Sequence, residues 1–501
     1  NSARLYSGGV ENRSVLFLNN SLIADNDAVV GPDIYKALGA LNALGPGTNL
    51  IGNLSDSGFT AGPQILVDPE PLLSPPGLYG GPSWTAPPTF ASPARDRAGF
   101  NPALPQDQRG VSRSLDGGPD IGAAEYVDVL VSNDDDSGPG SLRAALATPF
   151  VSAPRFAPAL AHARILLESP LQIQQSVDLD ATVFPYGLVM DAQEQTRVLE
   201  IAAGIPAVEL NGWTLTGGRA LDLGDGNGAG IKINPGAEIN LRNCTLFNHI
   251  ALFTGGGIYN QGSLLLDRST LYHCGSGALN VGGGLANDEN ANAEIQYSTF
   301  IGNVSGSGGA IVNQAGGRLV VRHSTLSGNR AFTSGGAIFN RAGAGFPPDA
   351  TLELHQSIVA DNIGDTAADL DNDGVVLSSS GVNLFSDLSG SGLGTGDTIR
   401  LVEDIRLSPL GWFGGRTQTL HPLAGSPAID PAGSLTNATA DGDQRGLTNL
   451  VGGLRDVGAL EVGSVHVVAD TEDLSMYALN LRNALDQAAN PGAVIRFSTN
   501  T

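Results

Sequence analysis

The sequence predicts an all-β solenoid, a stack of short parallel strand coils, and three observations carry that expectation. A Ser-Thr-Leu type tripeptide returns about every 26 residues, a Gly-Gly-Ala-Ile-x-Asn type hexapeptide keeps step with it, and the residues between them alternate with a period of two.

The tripeptides are Cys244-Thr245-Leu246, Ser269-Thr270-Leu271, Ser298-Thr299-Phe300, Ser324-Thr325-Leu326 and Ser357-Ile358-Val359, the first three spacings being 25, 29 and 26 residues. The hexapeptides end in Asn260, Asn287, Asn313 and Asn340, which are 27, 26 and 27 residues apart. Their glycines suit a tight corner, and their asparagines can hydrogen-bond the turn of the next coil. These four asparagines are therefore read as a structural turn ladder. Four residues before each Thr or its equivalent stand Leu241, Leu266, Ile295, Val321 and Leu354. Stacked about 4.8 Å apart, they form one inward aliphatic ladder, the core.

A longer repeat encloses the short one. Ser14 to Asn26 matches Ala350 to Asn362 at an offset of 336 residues, as do Asp107-Gln108-Arg109-Gly110 with Asp443-Gln444-Arg445-Gly446 and Asp120 to Glu125 with Asp456 to Glu461. Ser92-Pro93-Ala94 pairs with Ser426-Pro427-Ala428 at 334, and Leu142-Arg143 with Leu481-Arg482 at 339. The chain opens on Asn1 and its 501 residues are not a multiple of 336, so both ends read as cut from something longer. The expected division is the last rung of one unit (1–26), its C-terminal cap (27–126), the N-terminal cap of a complete unit (127–163), its β-helix (164–362), its C-terminal cap (363–462), and the N-terminal cap of a following unit (463–501).

The pattern at Gly335 to Asn340 and Ser324 to Asn329 resembles the right-handed parallel β-helix repeats of bacterial surface proteins and polymorphic outer-membrane adhesins, over roughly Leu166 to Asn362. Gly425 to Asp430, Asp443 to Gly446 and Asp456 to Glu461 are similar to the choice-of-anchor Q region that follows such helices. Ser132 to Arg143 is similar to their N-terminal capping segment, with Ser141 as the helix N-cap. The resemblance implies a right-handed parallel β-helix with small β-rich capping regions, displayed outside the cell in an adhesin, matrix or sheath. It implies no defined reaction.

Composition narrows the partners. With 41% apolar and 15% charged residues the chain is too apolar for disorder and too long for one ordinary core. Lys+Arg of 26 against Asp+Glu of 50 gives a net charge of -24, a surface that repels nucleic acid and anionic lipid. No run of about 18 apolar residues offers a membrane span. Cys244 and Cys274 fall in different columns of neighbouring rungs, which favours free buried thiols over a bridge.

Candidate sites are few. Parallel β-helices that cleave polysaccharides need acids clustered on adjacent rungs. Here the outward column reads Arg242, Asp267, Gln296, Arg322, His355, the acids Glu294 and Glu353 are separated by Val320, and His273, His323 and His355 occupy different columns. Catalysis is therefore not expected. Asp369, Asp371 and Asp373 have the alternating oxygen spacing of a Ca²⁺ loop, although position twelve is Ser380 and the earlier copy keeps only Asp33. Ca²⁺ is thus the one candidate cofactor, and none is required. Trp84 and Trp412, placed in matching aromatic stretches, are candidate sugar contacts, with packing of the cap as the plainer role. The expected function is structural: β-helix units joined end to end, with neighbouring copies or adjoining repeats as partners. An adhesin binding a glycan or surface protein is the alternative, and a polysaccharide lyase or hydrolase ranks third.

Overall fold

Each coil of about 26 residues is too short and too apolar to bury itself alone, so it pairs edge to edge with the next. The computed structural model describes residues 1–99, 101, 103–113, 117–343, 349–434, 442–447, 454–462, 466–468 and 495–497. Among these, strands pair in parallel with the strand one coil later and build three long sheets, one of ten strands and two of eight. A single coil shows the plan: Ile258–Asn260, Ser263–Asp267 and Thr270–Tyr272 each enter a different sheet. The result is a parallel β-helix.

Alternation along each strand sets what lies inside. Leu241, Leu266, Ile295, Val321 and Leu354 stand in one register across five consecutive strands, and all are fully buried. Arg242, Asp267, Gln296, Arg322 and His355 occupy the adjoining register.

Polar ladders hold the corners. Asn260 Nδ2 donates to Asn287 Oδ1 (2.8 Å), Asn287 to Asn313 (2.8 Å), Asn313 to Asn340 (2.9 Å) and Asn340 to Asn372 (2.7 Å). A second ladder runs through the serines of the tripeptides. The Ser269, Ser298, Ser324 and Ser357 hydroxyls accept the N–H of Cys244, Ser269, Ser298 and Ser324, and Asn383 Oδ1 accepts the N–H of Ser357. A third joins Cys274, Asn303, Asn329 and Asn362: each asparagine Oδ1 accepts the N–H of the member one coil before, starting from the Cys274 N–H, and the ladder ends where Asn362 Nδ2 meets Asp369 Oδ1 (2.9 Å). Buried polar groups stacked this way satisfy one another coil by coil. The corner itself needs glycine: Gly308 has φ +62, and a Cβ on Gly309 would lie 2.3 Å from the Gly336 carbonyl.

One end is closed by a short helix. Ser141 Oγ caps Leu142–Ala147 by accepting the Ala144 N–H (3.2 Å), and Leu142, Ala145 and Leu146 bury against the first coil. That covers an otherwise open strand edge. Cys244 and Cys274 are free and buried.

The boundaries differ from expectation at the other end. The β-helix does not stop at Asn362: Leu370–Asn372, Val375–Ser380, Asn383–Phe385 and Ile399–Leu401 join the same three sheets. These last coils lack the tripeptide because Asn383 takes the place of its serine. The same holds earlier in the chain, where Val10–Asn12, Val15–Leu18 and Leu22–Ile23 pair with Ile34–Lys36, Leu41–Leu44 and Asn49–Ile51, and the last of these with Ile65–Val67. Rungs therefore run to Val67, well beyond residue 26. Most of the expected cap at 463–501 lies outside the described residues. Within it, His466–Val468 pairs in parallel with Ile495–Phe497, as Leu130–Val131 does with Arg155–Phe156.

Candidate functional site

The described residues of the segment 402–462 (402–434, 442–447 and 454–462), expected to cap the helix end, instead run back along its side. Apolar groups alone do not hold it there. The Thr residues of the tripeptides point outward from the ten-stranded sheet, and their hydroxyls need partners. Thr299 Oγ1 donates to Gln444 Oε1 (2.7 Å) and lies 2.9 Å from Thr419 Oγ1, while Thr325 Oγ1 accepts the Ala459 N–H (3.1 Å). Gln444 Nε2 donates to Thr270 Oγ1 (3.0 Å) on the helix and to Thr417 Oγ1 (3.0 Å) in its own segment. This is a polar grip on a column of threonines. Arg455 adds to it, lying 3.2 Å from His323 Nε2, and His323 stacks on Tyr297 at 5.1 Å. Burial pushes His323 down to about 3, so its neutral ring can accept from Arg455.

What positions Gln444 is the Asp-Gln-Arg-Gly motif. Asp443 Oδ1 accepts the N–H of Arg445 (2.9 Å) and Leu447 (3.2 Å), and Oδ2 accepts Arg445 Nε (2.9 Å) and the Glu461 N–H (3.1 Å). Arg445 Nη2 donates to the Glu461 carbonyl (2.6 Å). Asp456 accepts the N–H of Asp430 (2.8 Å) and Val462 (2.6 Å), and Glu461 that of Asp456 (2.9 Å). The earlier copy repeats the knot. Asp107 holds the N–H of Arg109, Val111 and Glu125, and Asp120 those of Asp96 and Tyr126.

The grip differs between the copies. Gln108 makes the inner bonds that Gln444 makes, to Ser83 Oγ (2.8 Å) and the Trp84 carbonyl (3.4 Å). Among the described residues it meets no threonine column, the positions 336 residues before Thr270 and Thr299 lying ahead of residue 1; Gln108 is exposed, and the buried Thr85 hydroxyl, counterpart of Thr419, has no hydrogen-bond partner among the described residues.

The other side of this earlier segment meets the complete unit. Leu78 and Ser176 exchange two bonds of 2.9 Å, Arg109 Nη1 donates to the Phe150 carbonyl (3.0 Å), and the Arg155 guanidinium lies over the Phe90 ring, 4.3 Å from its centroid. Asp178 lies two residues beyond Ser176, in register with Glu209 on the next coil. This acid pair was missed by reading columns only from Arg242 onward. Burial, then Asp180 and Glu209, pushes Asp178 up to about 7. Because the folded chain favours the neutral acid, that contribution is intact below about pH 4 and is lost as pH rises through about 7. The expected result is that Asp178→Asn gains in melting temperature over the parent as pH goes from about 4 to about 8. A gap that stays constant with pH would show that Asp178 is not held neutral.

The remaining candidates are placed as follows. Asp369 is buried, and its oxygens accept from Asn362 Nδ2 and from the N–H groups of Ser386 and Asp387 (both 2.7 Å), so it ends the third ladder. Asp33 does the same with Asn26 (2.9 Å) and the Asn53 N–H (2.6 Å). Asp371 lies within the strand Leu370–Asn372, and Asp373 follows it, exposed. Among the described residues no group of three or more His, Cys, Asp or Glu side chains is placed to hold a metal ion. The two tryptophans are not counterparts. The bridges Gly77 to Thr85 and Gly411 to Thr419 align Trp84 with Gln418 and Leu78 with Trp412. Trp84 is 58% exposed beside Gln108, whereas Trp412 lines a groove of about 280 Å³ on the ten-stranded sheet, with Tyr186, Phe247, Tyr272 and Arg416.

No family model, curated protein or solved structure matches the chain.

Proposed function

We propose that the chain is an extracellular structural protein in which β-helix units are joined end to end into a fibre, sheath or stalk. The paired grips carry this reading. Gln444 holds a threonine column at Thr270 and Thr299, while Gln108, built on the same knot, presents the same inner bonds to solvent. A surface preformed at this detail fits serine-threonine coils of the kind that Gln444 holds within its own unit. The opposite side of the segment already docks on the next unit through Leu78, Arg109 and Phe90, which meet Ser176, Phe150 and Arg155. Each such segment thus serves two stacks, its own and the following one. A net charge of -24 keeps such an assembly soluble and spaced from its neighbours.

Amide exchange tests the reading. In the isolated chain, residues 83–85 and 107–109 should exchange faster than 417–419 and 443–445. In native surface material the two sets should be equally protected. Equal and fast exchange at 83–85 in both preparations would sink the proposal.

A further inference from the structure

Beyond joining units, we infer that the groove beside Trp412 binds an acidic oligosaccharide. Four separate stretches converge on it: Tyr186 from the corner after Asp180, Phe247 and Tyr272 from consecutive coils, and Trp412 from the segment laid along the helix. The Phe247 and Tyr272 rings lie parallel, their centroids 4.9 Å apart and their planes 2° from each other. Stacked on each other, the two rings turn their edges to the groove, beside Trp412 and Tyr186. This apolar lining suits the C–H face of a pyranose ring. Thr214, Thr245, Asn243 and Gln418 line the same groove and supply the hydroxyl and amide groups that sugar hydroxyls require. At about 280 Å³ the cavity sits at the small end of ligand pockets, which span roughly 300–1,000 Å³. It is sized for a short stretch of a chain, not a large ligand.

Charge selects the class of sugar. The chain carries 50 acidic residues against 26 basic ones, yet the groove is lined by His162, Arg164 and Arg416 and by no carboxylate. Arg164 is paired with Asp191 at 2.6 Å. Arg416 is exposed and donates to the carbonyls of Thr182 (3.0 Å) and Phe184 (3.1 Å), so no carboxylate neutralises its charge in these bonds. A guanidinium fixed by carbonyls at the mouth of an aromatic groove matches the carboxylate of a uronate.

The full chain would be titrated with a short oligouronate and with a neutral oligoglucoside of equal length, followed by tryptophan fluorescence and calorimetry. Saturable uronate binding is expected, tighter than neutral binding by about tenfold. Tyr272→Ala and Trp412→Ala should each weaken it by about tenfold or more, with melting temperatures showing that both variants fold. Arg416→Gln should abolish the preference for uronate and leave neutral binding in place. Trp84→Ala, outside the groove, should change nothing. Absence of saturable binding, binding that survives both aromatic substitutions, or a uronate preference that survives Arg416→Gln would each overturn the inference.

Discussion

Replacing Asn313 by alanine should destabilise the β-helix by about 3–5 kcal/mol, far more than its small loss of volume would suggest. Asn313 is the middle member of the asparagine ladder and is fully buried. It accepts from Asn287 Nδ2 (2.8 Å) and donates to Asn340 Oδ1 (2.9 Å) and to the Thr351 carbonyl (3.0 Å). Alanine leaves the Asn287 amide and three acceptors, Asn340 Oδ1 and the Thr351 and Gly317 carbonyls, without that partner, and each orphaned group costs about 1–3 kcal/mol. Aspartate should be worse, since it places a charge in the same column. Because coils stabilise one another only through their neighbours, the loss should appear first as faster amide exchange at Ile311–Asn313 and the flanking strands Leu285–Asn287 and Ile338–Asn340. Gln314→Ala, whose side chain accepts from the exposed neighbour Arg341 (2.9 Å), is the control and should stay within about 0.5 kcal/mol.

Arg445→Met should release the lateral segment while leaving the helix intact. Arg445 and Asp443 form an ion pair in which the side chains are 1% and 3% exposed. Removing one partner of a buried pair costs about 3–5 kcal/mol, because the other charge stays buried without compensation. The loss falls on the knot that aims Gln444 at Thr270 and Thr299. Limited proteolysis should then cut between about residues 402 and 462 while the coils before Leu401 stay protected. Arg406→Met serves as the comparison: its pair with Asp404 is exposed and should be worth less than about 1 kcal/mol. If cleavage instead spread evenly through the coils, the segment would be shown to fold as one piece with the helix.

Local, periodic features were legible in the sequence. Leu241, Leu266, Ile295, Val321 and Leu354 share a register because coil length and strand alternation dictate it, and the four asparagines recur at the same corner for the same reason. The serine column was visible as a repeat, but its bonding was not: each hydroxyl accepts an N–H from the previous coil, 25 to 33 residues away. Coils after Asn362 escaped notice because Asn383 replaces the serine and Ala367-Ala368 replace the paired glycines, although Asn372 keeps the asparagine column. Least legible was the lateral segment. Gln444 meets Thr299 across 145 residues, and nothing in the local pattern of either says that they touch. The same distance hid the groove, whose walls come from four stretches, and aligning Trp84 with Trp412 by composition misplaced both.

Electron microscopy of the native surface material tests end-to-end joining most directly. Ten strands stacked about 4.8 Å apart, plus the junction, give an axial rise on the order of 50 Å per unit. Filaments with a regular spacing of that order, containing this polypeptide, are the predicted result. Discrete particles that make no end-to-end contacts even at high concentration would contradict the account.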